Sequence, residues 1–409
     1  MSPGPRVDAG RVIADLRELD RRTGGPDGAR RVAFTEPWRA ARSLLGELLG
    51  EIGLEAERDE AGNLWAWLDG DGEPALAVGS HLDSVPDGGW LDGALGVMAG
   101  LGILRAWAEA RKRPPRTLAL VDWADEEGRF GRSLLGSSAF SGTLVADAVR
   151  ELRDPGGERL GDVLAAEGLD LDRALEAGRR RERLRAYLEL HIEQGPVLEA
   201  DGLRAAAVAG CVGIERRRLR FAGQAAHAGT TPMERRHDAG LAAATTALAI
   251  EALAVRAEGM GTTGAFSLRP GIATAVPGEA ELLVDLRHPD AVALETMVAG
   301  AVAAAEEAAA ERGCELAVEP VWRIEPISFD ERLVGLAGEA CREVAGSDRV
   351  LTSGALHDAA EVARVLPAAM VFTPSIAGLS HTVAEDTNED DLAAAIEAFG
   401  LLAERALAG

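Results

Sequence analysis

The chain has 409 residues, with 43 Lys+Arg against 67 Asp+Glu and a formal net charge of −24 at pH 7. That length exceeds one ordinary hydrophobic core, so two or three domains are expected, and 47% apolar with 27% charged residues is a globular composition. The acidic excess repels phosphate backbones and anionic lipid, which argues against nucleic-acid and membrane partners. Lys112 is the only lysine and lies in the loop-like run Arg111-Lys112-Arg113-Pro114-Pro115, so Schiff-base and P-loop chemistry have one poor candidate. Cys211, Cys314 and Cys341 are far apart without a C-x-x-C pair, so buried thiols are expected rather than a disulfide framework or thiolate zinc site. The first 25 residues hold no apolar signal-like core, and the stretch from Leu241 to Val255 reads as too short and interrupted to span a bilayer. A cytoplasmic location is the expectation.

In chain order, four short apolar runs read as buried strands that end in polar clusters. Leu76-Ala77-Val78 runs into Gly79-Ser80-His81-Leu82-Asp83, and Thr117 to Val121 runs into Asp122-Trp123-Ala124-Asp125-Glu126-Glu127. Leu184 to Leu190 leads to His191-Ile192-Glu193-Gln194-Gly195, and Ala368 to Phe372 leads to a loop ending at Ser380-His381. Helical stretches separate them, including Gly93 to Arg111 and Glu389 to Leu407, the latter with Asn388 as N-cap. Alternating strands and helices predict an α/β domain with a mostly parallel mixed sheet flanked by helices, and ligands then sit beyond the carboxyl ends of its strands. From Cys211 to Trp322 the texture changes. Ile214 to Phe221 and Glu281 to Leu286 alternate as half-exposed strands, and Ala-rich helical runs cover 238–256 and 291–312. These predict an inserted α+β domain, two helices on an antiparallel sheet, over 211–322, within a discontinuous domain of 1–210 and 323–409.

The strand-end clusters offer His81, Asp83, Asp92, Glu126, Glu127, His191 and His381, which are ligand types for borderline dications. Each alone has an ordinary explanation: a hydrogen-bonded histidine, a solvated acidic turn at Glu126-Glu127, a helix cap at Asp92. Their coincidence after strand-like runs is what points to metal.

The runs Gly79-Ser80-His81-Leu82-Asp83-Ser84-Val85-Pro86 and Gly88-Gly89-Trp90-Leu91-Asp92-Gly93 resemble the M20-type co-catalytic metallohydrolases. Asp125-Glu126-Glu127-Gly128, His191-Ile192-Glu193-Gln194-Gly195-Pro196 and His227-Ala228-Gly229-Thr230-Thr231-Pro232-Met233 narrow the resemblance. They point to the branch of N-carbamoyl-L-amino acid hydrolases, allantoate amidohydrolases and β-ureidopropionases. The resemblance implies two divalent ions, usually zinc, with manganese, cobalt or nickel as alternatives. It implies that His81 and His191 hold one ion, Asp92 bridges, and Glu127 and His381 hold the other. Asp83 would accept from the second nitrogen of His81, Glu126 would be the general base, and the Asp92–Gly93 peptide would be cis. His227 would reach across a homodimer interface into the partner's site, with the inserted domain as dimerisation or lid domain. Arg287 would grip a substrate carboxylate and Gln194 would touch substrate; His357, by its position after the Ser353-Gly354 turn, is a candidate for lining the pocket. Thr274 stands where the family usually has asparagine and Leu356 where it usually has glycine, so the substrate is expected to differ from simple N-carbamoyl α-amino acids. The implied reaction is hydrolysis of a carbamoyl C–N bond with release of ammonia and carbon dioxide. Allantoate hydrolysis is the alternative, followed by a peptidase or deacylase. An inactive binding protein is opposed by the complete ligand set, and a dinucleotide-binding dehydrogenase by the absence of a G-x-G-x-x-G turn after the first strand.

Overall fold

The computed structural model describes residues 4–408. The chain divides into two compact units, one of 1–210 with 328–409 and the other of 211–327.

In the first unit the sheet runs in the order Ala206–Cys211, Ala368–Thr373, Leu184–Ile192, Ala75–His81, Leu118–Trp123, Leu64–Leu68, Ala56–Arg58. The middle four strands are parallel to one another, while Ala206–Cys211 and Leu64–Leu68 pair antiparallel on either side. The parallel strands are the four apolar runs of the sequence. Every residue of Ala75–His81, Leu118–Trp123 and Ala368–Thr373 is buried, as expected of strands covered on both faces. One core joins Leu76, Val78, Leu120, Leu188 and Val371 to Leu95, Met98, Ile396 and Phe399 of the helices Ala94–Glu109 and Glu389–Ala408. A second gathers Phe34, Trp38, Ala124, Phe130 and Leu135. All four polar clusters therefore leave the sheet from the carboxyl ends of adjacent parallel strands.

The chain enters helix Ala94–Glu109 through Gly93 at φ 63°. A Cβ there would lie 2.3 Å from the His81 ring, so both the turn and the histidine require glycine. The cis peptide bonds among the described residues are Glu73–Pro74 and Arg269–Pro270. The expected cis bond at Asp92–Gly93 is absent, and the positive φ of Gly93 makes the turn instead. Asn388 directly precedes helix Glu389–Ala408, its carbonyl accepting from the Leu392 N–H at 2.9 Å, while its side-chain amide donates to the Asp391 carboxylate at 3.2 Å.

The second unit is a four-stranded antiparallel sheet in the order Met260–Arg269, Glu279–His288, Gly213–Ala222, Glu315–Ile324. Helices Ala239–Arg256 and Ala291–Arg312 start at Asp238 and Asp290, whose carboxylates accept from the N–H groups of Leu241 and Ala293. They pack on Leu219, Phe221, Leu282, Val284 and Leu286. By length and composition alone Ala239–Arg256 would be long and apolar enough to cross a membrane, but here it packs on the antiparallel sheet, with Ala242, Ala243, Thr246 and Ile250 among the residues it buries. Cys211 and Cys341 are buried, while Cys314 is half-buried because it follows the helix end at the unit surface.

Candidate metal centre

Three strand ends and one loop converge on Asp92. Its Oδ1 lies 3.2 Å from His191 Nε2 and 3.7 Å from His81 Nε2. Its Oδ2 lies 3.3 Å from His381 Nε2, which is 3.5 Å from Glu127 Oε2. His81, Asp92 and His191 thus form one compact donor group, and Asp92, Glu127 and His381 a second. Glu126 Oε2 stands 3.7 Å from His81 Nε2.

These donors are nitrogen and oxygen, the set suited to zinc and its neighbours. His191 Nε2 and Glu127 Oε1 are buried without a hydrogen-bond partner, a costly condition that a cation between the groups would relieve. The residues present therefore fit metal ions. A third group, Glu189, His191 and His357, is less suited. The Glu189 carboxylate already accepts from Ser80 Oγ and from the Ala359 N–H, and His357 Nε2 pairs with Ser353 Oγ at 2.9 Å.

The ring tautomers are set by carbonyls. His191 Nδ1 donates to its neighbour Ile192 O at 2.9 Å, and His81 Nδ1 donates to Asp83 O at 3.0 Å, which leaves both Nε2 atoms facing Asp92. The Asp83 carboxylate is 3.7 Å from His81 Nδ1, so its main chain, and not its side chain, takes that proton. The side chain instead accepts from the N–H groups of Glu126 and Glu127 and shapes that turn. Leu82, between the two, is held through its N–H by Asp122 at 2.7 Å and through its carbonyl by the buried Arg31 at 2.8 Å. Arg42 pairs with Asp122 at 2.6 Å behind them. Asp125, Gln194 and His381 take φ near 55°, a conformation that costs about 1–2 kcal/mol for non-glycine residues and that clusters at functional sites.

Charge is concentrated here. Burial, then Asp358 and Glu127, pushes the Glu126 carboxyl well above the usual range, and burial followed by Asp92 does the same to Glu127. Burial raises Asp83 to about 6, and burial with Asp83 raises Asp125 to about 8. His191 is desolvated, yet Asp92 and Glu189 lift it to about 9. Each of these groups binds protons more tightly in the fold than in the unfolded chain, so stability must fall as pH rises through the corresponding window. The metal-free protein should therefore lose thermal stability between about pH 6 and 9, and added zinc or manganese should restore it. Melting curves with and without chelator test this; a metal-free Tm that rises over that window contradicts it.

Of the other expected site residues, Gln194 places Nε2 2.8 Å from Asp92 Oδ2 and 3.2 Å from Ser380 Oγ. Its amide thus engages the shared aspartate. His357 is buried with its ring 4.4 Å from that of His191, and burial keeps it neutral. Leu356 beside it is half-buried. His227, Thr274 and Arg287 belong to the unit of 211–327. His227 is exposed, and its Nδ1 accepts from the Gly229 N–H at 3.1 Å, which leaves the proton on Nε2. Thr274 is exposed, and its carbonyl accepts from Ala228. Arg287 lies along Asp285, with Nε 2.7 Å from Oδ1, and Asp285 also accepts from Arg216. Sequence reasoning missed Glu189, Ser380 and Glu385, which carry no motif spacing and matter only because the fold delivers them to the ligands.

The chain matches peptidase family M20/M25/M40 over residues 77–405. It is 36% identical to an N-carbamoyl-L-amino acid amidohydrolase of Geobacillus stearothermophilus, across 94% of each chain. It is 32% identical to an allantoate amidohydrolase of Bacillus subtilis, across 91% of each. The solved structure of a hydantoinase/carbamoylase family amidase from Burkholderia multivorans superposes with a TM-score of 0.90 at 32% identity, over 98% of each chain. With these relatives spanning nearly its whole length, the chain belongs to peptidase family M20/M25/M40, as a hydrolase of the hydantoinase/carbamoylase branch.

Proposed function

We propose that the protein is a two-ion amidohydrolase that cleaves the carbamoyl C–N bond of an N-carbamoyl amino acid or related ureido acid, releasing ammonia and carbon dioxide. The observation that carries this reading is the division of Asp92: one carboxylate oxygen belongs to the His81–His191 group and the other to the Glu127–His381 group. Zinc is the favoured ion, with manganese, cobalt or nickel as alternatives. Such ions activate water and offset charge on a developing oxyanion. Glu126, which belongs to neither donor group, takes a proton from the attacking water and returns it to the departing nitrogen. Ammonia leaves, and the remaining carbamate loses carbon dioxide.

The unit of 211–327 supplies the rest. His227 crosses a homodimer interface into the site of the partner subunit, where its Nε2–H donates to the oxyanion. Arg287, oriented by Asp285, meets the substrate carboxylate with a fixed planar fork. Dimerisation and lid roles fall to this unit, catalysis to the other, and the cytoplasm is the site of action. Thr274 and Leu356 leave the ligands intact but alter the pocket walls, so the substrate differs from simple N-carbamoyl α-amino acids. The similarity to an allantoate amidohydrolase makes allantoate the second candidate.

Ammonia release from the metal-loaded protein, measured on N-carbamoyl-L-amino acids, N-carbamoyl-β-amino acids and allantoate, tests both levels. Turnover is expected on a ureido acid other than the simple α-compounds. Broad, fast turnover of those compounds would remove the specificity argument, and no ammonia from any ureido acid would remove the reaction.

A further inference from the structure

Two loops far apart in sequence meet beside the shared aspartate. The segment Leu91-Asp92 precedes helix Ala94–Glu109, whereas Ser380-His381 precedes helix Glu389–Ala408. Glu385 is 1% exposed and stands between them. Its Oε1 accepts from the N–H groups of Leu91 at 3.1 Å and Asp92 at 3.0 Å. Its Oε2 lies 2.8 Å from Ser380 Oγ, which is 2.9 Å from Asp92 Oδ2. Trp90 Nε1 adds a 3.3 Å tie to Asp386.

The Gly88-Gly89-Trp90 run accommodates this carboxylate. A Cβ on Gly89 would fall 2.0 Å from both Cδ and Oε1 of Glu385, so no larger residue fits while Glu385 keeps its place. Removing the carboxylate would orphan two buried N–H groups next to a metal-ligating side chain and free the Ser380 hydroxyl.

We propose that Glu385 is a positioning residue that fastens Asp92 to the His381 loop, and so builds the ion site of Asp92, Glu127 and His381 in preference to that of His81 and His191. This rests on the two-ion reading above. A support for the fold in general would weaken both sites together; a brace on the Oδ2 side of Asp92 weakens one.

Cobalt(II) binding to the metal-free full chain, followed by calorimetry and visible absorption, distinguishes these. In Glu385→Ala the affinity that His381→Ala also lowers should fall by about 10–100-fold, the range for loss of an outer hydrogen-bond partner, with the other ion held nearly as in wild type. Glu385→Gln keeps the shape and an oxygen for the two N–H groups, and should recover most of that loss. Gly89→Ala should reproduce the selective loss, since its Cβ displaces the carboxylate. Should Glu385→Ala fail to fold, the glutamine and Gly89 variants decide by the same criterion. Two ions bound with wild-type affinities in the variants overturn the brace alone, as does an equal weakening of both ions. A wild-type protein that takes up no second ion overturns the two-ion reading and the brace with it.

Discussion

Replacing Glu126 with glutamine should lower kcat by about 10²–10⁴-fold, the range for a positioned general acid–base group, while both ions remain bound. The change is nearly isosteric, and Glu126 is buried within 3.7 Å of His81, so packing around the ligands is retained. What is lost is the ability to accept and return a proton. Burial and the charges of Asp358 and Glu127 make this carboxylate strongly basic, and cations close by would offset much of that negative field. Ammonia release together with elemental analysis of the same sample reads both quantities. Unchanged turnover would exclude Glu126 as the base, and loss of metal along with turnover would make it a ligand instead.

Changing Asp92 should have the broadest effect of any single ligand. His381→Ala removes a donor from one group only, whereas Asp92→Ala removes a donor from both, because its two oxygens face different histidines. Asp92→Asn is the sharper test, since an amide presents one oxygen and can serve one group. Ions supply several kcal/mol of transition-state stabilisation, so Asp92→Ala should reduce turnover by about 10³-fold or more. Equilibrium dialysis should find both affinities weakened in Asp92→Ala and chiefly one in His381→Ala. An Asp92→Ala variant that keeps two tightly bound ions would show that the aspartate does not bridge.

The same proximity explains why these residues occur together at a cost to the fold. Asp83, Asp92, Asp125 and Glu126 are all buried within one region, with Arg31 and Arg42 as the cations behind them. Carboxylates brought this close stabilise a folded chain only when something offsets their charge, which links the metal content of the protein to its pH stability.

Much of this was legible in the amino-acid order. The parallel strands announce themselves because burial on both faces demands unbroken apolar runs, and each stops at the polar cluster that begins the site. Central strands Gly213–Ala222 and Glu279–His288 were readable because one face packs on helices and the other does not, which enforces alternation. Their edge neighbours Met260–Arg269 and Glu315–Ile324 were not: they are exposed or half-exposed along their whole length, so that even where Leu316 and Val318 pack against the core the contrast between the two faces is weak.

What the amino-acid order determined by itself was the set of candidate ligands, the local strand-to-cluster pattern and, through its motifs, the family. Only the tertiary structure decided how those groups are oriented. It gave the His81 proton to the Asp83 carbonyl and turned the Asp83 carboxylate to the Glu126–Glu127 turn. It laid Gln194 on Asp92 and brought Glu385 across nearly three hundred residues to hold the aspartate in place. The reason is physical: residue type and spacing set which donors and acceptors exist, whereas hydrogen bonds are chosen among them by distance and angle after the chain has packed.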